Sequence, residues 1–245
     1  MRINIPVITR CGPPIRITKD GAECVNSQGN ASWAYKGTEV TGKGIFVAAC
    51  ARSGTMYMTK VLSRLGYKIG HEMSDADGSV GYHLAVIKPK NCFHQVRHPL
   101  KQISSMFDHQ SWGFMNQVIE CHGKGLLGCM QYWLKWNELL EEFCVWRYQL
   151  EKIQEVWPEF LERVGHSFEP LPDVPTDTNS KEMSLSCSGR EFHSFGWDDL
   201  FKCERPLAKK ILEKAEYYGY EVPEMGKTEY HSTLGQLVTA QVASV

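Results

Sequence analysis

The sequence predicts an α/β fold of three layers, α/β/α, with a central parallel sheet covered by helices on both sides. Three observations predict it. Ile45-Phe46-Val47-Ala48-Ala49 is a short continuous apolar run, the form of a strand buried on both faces. A second apolar strand candidate, Cys92 to Val96, lies downstream. After each run the apolar period changes from continuous to helical, so strands and helices alternate along the chain.

Taken in order, residues 1–43 carry turn signals at Gly12-Pro13-Pro14, Asp20-Gly21 and Gly29-Asn30, with short β-like runs such as Ile15 to Thr18. They are expected to form an N-terminal extension packed on a core domain of residues 44–245. After the strand at 45–49 and a tight loop, Met58, Val61, Leu62 and Leu65 keep the i, i+3, i+4, i+7 spacing of a helix buried on one side, and Gly66 supplies its stop. Behind the second strand, Pro99 starts a helix over about 100–107. A long helix is expected over about 127–145, a strand over 148–150 and a further helix over 153–164. The stretch 166–188, rich in Pro, Ser, Thr and Asp, reads as a surface loop or lid. Pro206 to Tyr218, followed by Gly219, reads as a closing amphipathic helix.

Composition narrows the function. The chain of 245 residues is 42% hydrophobic and 22% charged, enough for one sizeable domain and unlike disordered or fibrous sequences. A formal net charge of −1 gives no global field for nucleic acid or an anionic membrane, so any anion site must be local. No apolar run approaches the about 20 residues that span a bilayer. The start, Met1-Arg2-Ile3-Asn4 before Pro6, lacks the apolar core of a secretory leader, so a cytoplasmic protein is expected. The nine cysteines include no Cys-x-x-Cys pair and read as reduced, mostly buried thiols. Cys121, His122, Cys129 and His109 fit no established zinc spacing, and no metal is expected.

Chemistry concentrates where the first buried strand ends. A loop that leaves a strand and opens a helix aims free backbone N–H groups and the positive end of the helix dipole at one spot, which suits an anion. In Arg52-Ser53-Gly54-Thr55, Gly54 permits close backbone approach, Thr55 adds a hydroxyl and Arg52 a delocalised cation. The triplet Ser-Gly-Thr alone reads equally well as a helix N-cap; the buried strand before it favours a P-loop-like phosphate site. Upstream, Gly37-Thr38-Glu39-Val40-Thr41-Gly42-Lys43 spells most of a triphosphate loop, yet it precedes a strand where that motif follows one, and Gly44 stands where Ser or Thr is needed. It reads as a turn.

These residues resemble the sulfotransferase family. Its 5′-phosphosulfate loop, written Lys or Arg, Ser, Gly, Thr after the first core strand, matches Arg52 to Thr55, and its 3′-phosphate segment matches Arg97, Pro99 and Ser105. Further likeness lies in Gly70-His71-Glu72, in Tyr132 to Glu138 and in Gly219-Tyr220, closer to bacterial and phage-type members than to the cytosolic animal enzymes, over about residues 44–220. The resemblance implies 3′-phosphoadenosine-5′-phosphosulfate (PAPS) as sulfonate donor, held by Arg52, Ser53, Gly54, Thr55, Met56, Tyr57, Arg97 and Ser105. Three departures stand out: Met56 replaces a second Thr, so that Tyr57 would have to compensate, His98 replaces Asp or Asn, and no glycine-rich C-terminal nucleotide segment is evident, with Arg190 a partial substitute at best.

The same resemblance implies transfer to a hydroxyl or amine, which needs a base. Glu72 is expected in that role, as in prokaryote-type relatives, with His83 and His71 as the alternatives drawn from the animal branch. Trp112, Phe114, Tyr132, Trp133 and Trp136 would line an acceptor pocket or adenine slot, although their helical spacing favours core. The acceptor, whether carbohydrate, lipid, peptide tyrosine or small metabolite, is not legible. Two rivals remain: a non-catalytic nucleotide-binding protein of the same fold, and a P-loop-type nucleotide kinase.

Overall fold

Alternating burial along one strand organises the molecule. In β4 (Ile45–Ala49) every residue is buried, with Ile45 and Val47 in one apolar cluster and Phe46 and Ala48 in another on the opposite face. A strand whose two faces meet two cores is interior to a sheet covered on both sides. The computed structural model of the chain describes residues 44–72, 75–109, 118–119, 121, 123–175 and 192–224, and the backbone of 15–18, 21–25 and 31–36.

In chain order the elements are β1 (Ile15–Thr18), β2 (Gly21–Val25), β3 (Ala31–Lys36), β4, α1 (Thr55–Arg64), β5 (Ile69–His71), β6 (Gly78–Gly81), α2 (Leu84–Ile87), β7 (Phe93–Val96), α3 (Pro99–His109), α4 (Gly125–Glu141), β8 (Trp146–Gln149), a 3₁₀ turn (Leu150–Lys152), α5 (Ile153–Val164), α6 (Trp197–Cys203) and α7 (Arg205–Tyr217). The first three strands form an antiparallel sheet of their own. The other five form the central sheet in the order β5-β6-β4-β7-β8, parallel throughout. The expected three-layer, P-loop-like α/β/α fold is the fold observed.

Helix periodicity decides which layer each helix joins. Met58, Val61 and Leu62 of α1 and Trp157, Phe160 and Leu161 of α5 bury against the Val47 face. Ile103 of α3, Met130, Trp133 and Leu140 of α4, Leu200 of α6 and Ala208 and Ile211 of α7 bury against the Phe46 face. Tyr132, Trp133 and Trp136 are fully buried, so these three aromatics are core; Trp112 and Phe114 lie outside the described residues.

Several boundaries differ from expectation for identifiable reasons. Helix α4 stops at Glu141, short of Val145, because Val145 turns into the sheet and donates to Cys92 O at 2.9 Å. The last strand ends at Gln149, and Leu150 already opens the 3₁₀ turn. Strands β5 and β6, and helices α2 and α6, lie in segments left unassigned by sequence. Residues 165–175 form neither helix nor strand but pack on α5, with Val174 buried and Trp157 Nε1 donating to Glu169 O at 2.9 Å. The remainder of the expected lid, 176–188, lies outside the described residues, as do the triphosphate-like turn at 37–43 and Arg190.

Candidate anion site at the sheet switch point

After β4 the chain passes to α1 on one face of the sheet; after β7, the parallel neighbour of β4, it passes to α3 on the other. Two adjacent parallel strands whose following helices diverge leave a crevice at their carboxyl ends, the place where open α/β sheets bind ligands. The loop 50–54 and the loop 97–98 both end in that crevice.

The first loop has an unusual backbone. Arg52 has φ +66° and Gly54 has φ +86°, while no positive φ occurs at Ala51, Ser53 or Thr55. Residues of alternating hand turn successive N–H groups into one concavity, a nest suited to an oxyanion. A left-handed non-glycine residue costs roughly 1–2 kcal/mol, so Arg52 is held there by its surroundings. Gly54 is required twice over: its φ disfavours a side chain, and a Cβ there would stand 2.3 Å from Leu150 Cδ2.

Helix α1 begins directly on this nest. Its N-cap residue is Gly54, no side chain caps the first turn and no acidic residue lies in it. Among the described residues no acceptor meets the N–H groups of Ser53, Gly54, Thr55, Met56 or Tyr57. The Ser53 hydroxyl is fully buried and likewise without a partner. Buried polar groups of globular proteins are nearly always paired, so a cluster of unpaired donors marks a place for an acceptor.

Two guanidinium groups border the cluster. Arg52 Nε donates to Ser105 Oγ at 3.1 Å, and Arg97 Nη1 donates to Arg52 O at 2.8 Å. Thus Arg97 and Ser105, 45 and 53 residues from Arg52 respectively, meet it in one patch. Burial, and then the charge of Arg97, lower the Arg52 pKa from its ordinary value; burial also lowers that of Arg97, with Glu151 opposing. Neither arginine forms an ion pair among the described residues. Two partly buried cations side by side repel each other, and an anion between them relieves that repulsion.

The carboxylate side of the site comes from β5. Glu72 follows His71 with φ +56°, its N–H bonded to Val80 O at 2.9 Å. The close approach needs Gly81, because a Cβ there would stand 3.0 Å from Glu72 Cα. His71 Nε2 lies 3.0 Å from Thr55 Oγ1 and 3.7 Å from Glu72 Oε1, which ties the carboxylate to the first residue of α1. Burial raises the Glu72 pKa, against a hydrogen bond from Tyr82 and the charge of Arg52. Burial and Arg52 lower that of His71. His83 is a different case: it is 1% exposed, lies 3.0 Å from Ser79 Oγ, and burial pulls its pKa to about 3. Burial on all sides favours its neutral form.

Tyr57 packs its ring against the cluster of Met58 and Phe160, and burial, then Asp173, raise its hydroxyl pKa. At the second loop the His98 N–H donates to Glu151 Oε1 at 3.0 Å, and Tyr220 OH donates to Glu151 Oε2 at 3.0 Å. Tyr220, from the Gly219-Tyr220 pair, therefore reaches the Arg97 loop. Sequence reasoning missed Glu151, Tyr82, Gln95 and Gln102. The two glutamines carried a signal, since each is a polar residue in an apolar strand or on the apolar side of a helix and needs a buried partner.

Among the described residues no group of His, Cys, Asp or Glu is arranged to hold a metal ion, six cysteines are free thiols, and no helix is long and apolar enough to cross a membrane. No protein-family model matches the chain, and no curated protein matches it. Among solved structures the chain is similar to mouse sulfotransferase SULT7A1 complexed with PAP, at 11% identity over 80% of this chain and 88% of that chain, with a TM-score of 0.34.

Proposed function

We propose that the chain is a sulfotransferase that moves the sulfonate of PAPS to a hydroxyl or amine. One observation carries the reading: among the described residues the amides of 53–57 and the Ser53 hydroxyl have no partner, and two guanidiniums that form no ion pair share their crevice at the switch point of the sheet. That set demands a polyanion with more than one charged group. The nest and the α1 N-terminus suit the 5′-phosphosulfate, and Arg97 with Ser105 suits the 3′-phosphate.

The reaction is an in-line displacement at sulfur. The acceptor oxygen or nitrogen forms the new bond to sulfur while the bond from sulfur to the 5′-phosphate oxygen breaks, leaving adenosine 3′,5′-bisphosphate. Charge grows on that leaving oxygen, where the amides of Ser53 to Tyr57 and Arg52 stabilise it. Glu72 takes the acceptor proton. Its carboxylate is part-exposed beside Arg52 and His71, and its raised pKa makes it a stronger base than a solvated glutamate. Burial and then Arg52 favour the neutral form of His71, which positions Glu72 against Thr55.

The acceptor classes to be tested are carbohydrate, lipid, peptide tyrosine and small metabolite. Thermal melts test the donor: adenosine 3′,5′-bisphosphate is expected to raise the melting temperature well beyond 5′-AMP at equal concentration. Equal shifts would remove the 3′-phosphate assignment. Labelled PAPS with an acceptor panel tests the transfer, and tight binding with no transfer to any acceptor would instead favour a non-catalytic nucleotide-binding protein.

A further inference from the structure

Three consecutive carbonyls of the phosphate loop are each held by a side chain from the neighbouring strand unit. Gln102 Nε2 donates to Ala51 O at 2.7 Å, Arg97 Nη1 to Arg52 O at 2.8 Å, and Gln95 Nε2 to Ser53 O at 2.7 Å. In a trans peptide the C=O and the following N–H point in opposite directions. Drawing the carbonyls of 51, 52 and 53 toward β7 and α3 therefore turns the N–H groups of Arg52, Ser53 and Gly54 the other way, into the nest.

Both glutamines are themselves fixed. Gln95 pairs across the sheet with Tyr148, whose hydroxyl donates to Gln95 Oε1 at 2.7 Å. Gln102 Oε1 accepts from Trp133 Nε1 at 3.1 Å. Each carboxamide is fully buried and has its oxygen occupied by a donor, so its NH₂ has one direction left, toward the loop. The flip that would place a carbonyl oxygen against a loop carbonyl is excluded by the same two donors.

We propose that Gln95 and Gln102 are positioning residues that set the polarity of the phosphate loop, one peptide each: Gln102 aims the Arg52 amide and Gln95 the Gly54 amide at the bound oxyanion. The inference rests on the anion-site reading above but not on the identity of the nucleotide. Without the two glutamines, peptides 51–52 and 53–54 lose their anchor and are free to rotate a carbonyl into the site, where it repels the anion.

The test is an amide-resolved NMR titration of the whole chain and of Gln95→Met and Gln102→Met, with adenosine 3′,5′-bisphosphate and, separately, inorganic pyrophosphate. In the unsubstituted protein the amide protons of residues 52–54 are expected to shift downfield with either ligand. Gln102→Met should weaken bisphosphate binding by about tenfold, the worth of one buried hydrogen bond, and suppress the Arg52 shift first. Gln95→Met should do the same at Gly54. A purely structural role would lower the melting temperature while leaving affinity and those two shifts as they were, and that result overturns the proposal. If Gln95→Met does not fold, Tyr148→Phe loosens the same carboxamide and should reduce the Gly54 shift; an unchanged shift counts against the proposal. Pyrophosphate shifts without bisphosphate shifts would keep the positioning role and remove the nucleotide reading. Silence of residues 52–54 to both ligands would remove both.

Discussion

The two strand–loop–helix units at the centre of the sheet, β4 to α1 and β7 to α3, share a topology and differ in how the helix start is satisfied. At α1 no side chain among the described residues caps the first turn, no acidic residue lies in it and the loop backbone alternates in hand. At α3 the protein brings its own anion, since the Glu151 carboxylate accepts from the His98 N–H and from Tyr220. A helix N-terminus thus stays open to an anion only where the chain withholds a cap. Under the proposed function the first unit receives a phosphate through its backbone, and the second offers a guanidinium and a hydroxyl, Arg97 and Ser105, beside an end already closed.

The largest effect that breaks this contrast lies beside the first unit. Glu72→Gln should lower turnover by roughly 10²- to 10⁴-fold, the usual worth of a general base, while bisphosphate binding measured by calorimetry stays the same. Because burial raises the Glu72 pKa, the acid limb of the rate profile should fall above the ordinary glutamate range, and protonation below it should abolish transfer. The same shift has a stability consequence of fixed sign. A raised folded-state pKa gives stability that is present below the unfolded value of about 4.3 and lost as pH rises through the folded value. Glu72→Gln should therefore melt slightly higher than the unsubstituted protein at neutral pH, with the gap closing in acid.

Next in size, Arg97→Ala should reduce bisphosphate affinity by about a hundredfold, within the range for a lost charge-assisted hydrogen bond, and should reduce 5′-AMP affinity less. An equal loss for both ligands would place Arg97 at the first loop alone, through its bond to Arg52 O. Gly54→Ala should cost about 1–2 kcal/mol of stability in denaturant unfolding, because a left-handed alanine is strained and its Cβ meets Leu150. It should also weaken anion binding. The smallest change sharpens the contrast: Glu151→Gln keeps an acceptor for His98 and Tyr220 but removes a negative charge near Arg97, so bisphosphate should bind a few times more tightly, an effect that shrinks with salt.

Much of this contrast is readable in the sequence, and the unread parts have physical causes. The run Ile45–Ala49 is apolar throughout because both of its faces are buried, and the glycine after Ser53 marks the left-handed loop. Strands β5 and β6 escaped notice because Ile69–His71 is only three residues long and Gly78–Gly81 has the composition of a turn. Gly78 is there for contact, since a Cβ would fall 2.0 Å from Ile45 O; a close strand–strand approach and a turn call for the same residue. In the site, Arg52, Arg97 and Ser105 were legible as one motif pair, and the structure brings them together. Gln95 and Gln102 were marked only as polar residues in apolar surroundings; their partners, like that of Glu151, were not legible, because each acts on a loop about 40–50 residues away.

Under the proposed function one nucleotide is held at both ends across this crevice. A crystal structure with adenosine 3′,5′-bisphosphate puts that arrangement to the test. The expected result is a 5′-phosphate in hydrogen-bond range of the amides of Ser53 to Tyr57, with the 3′-phosphate on Arg97 and Ser105. A bisphosphate seated elsewhere, or one whose 3′-phosphate points away from Arg97 into solvent, would contradict the claim.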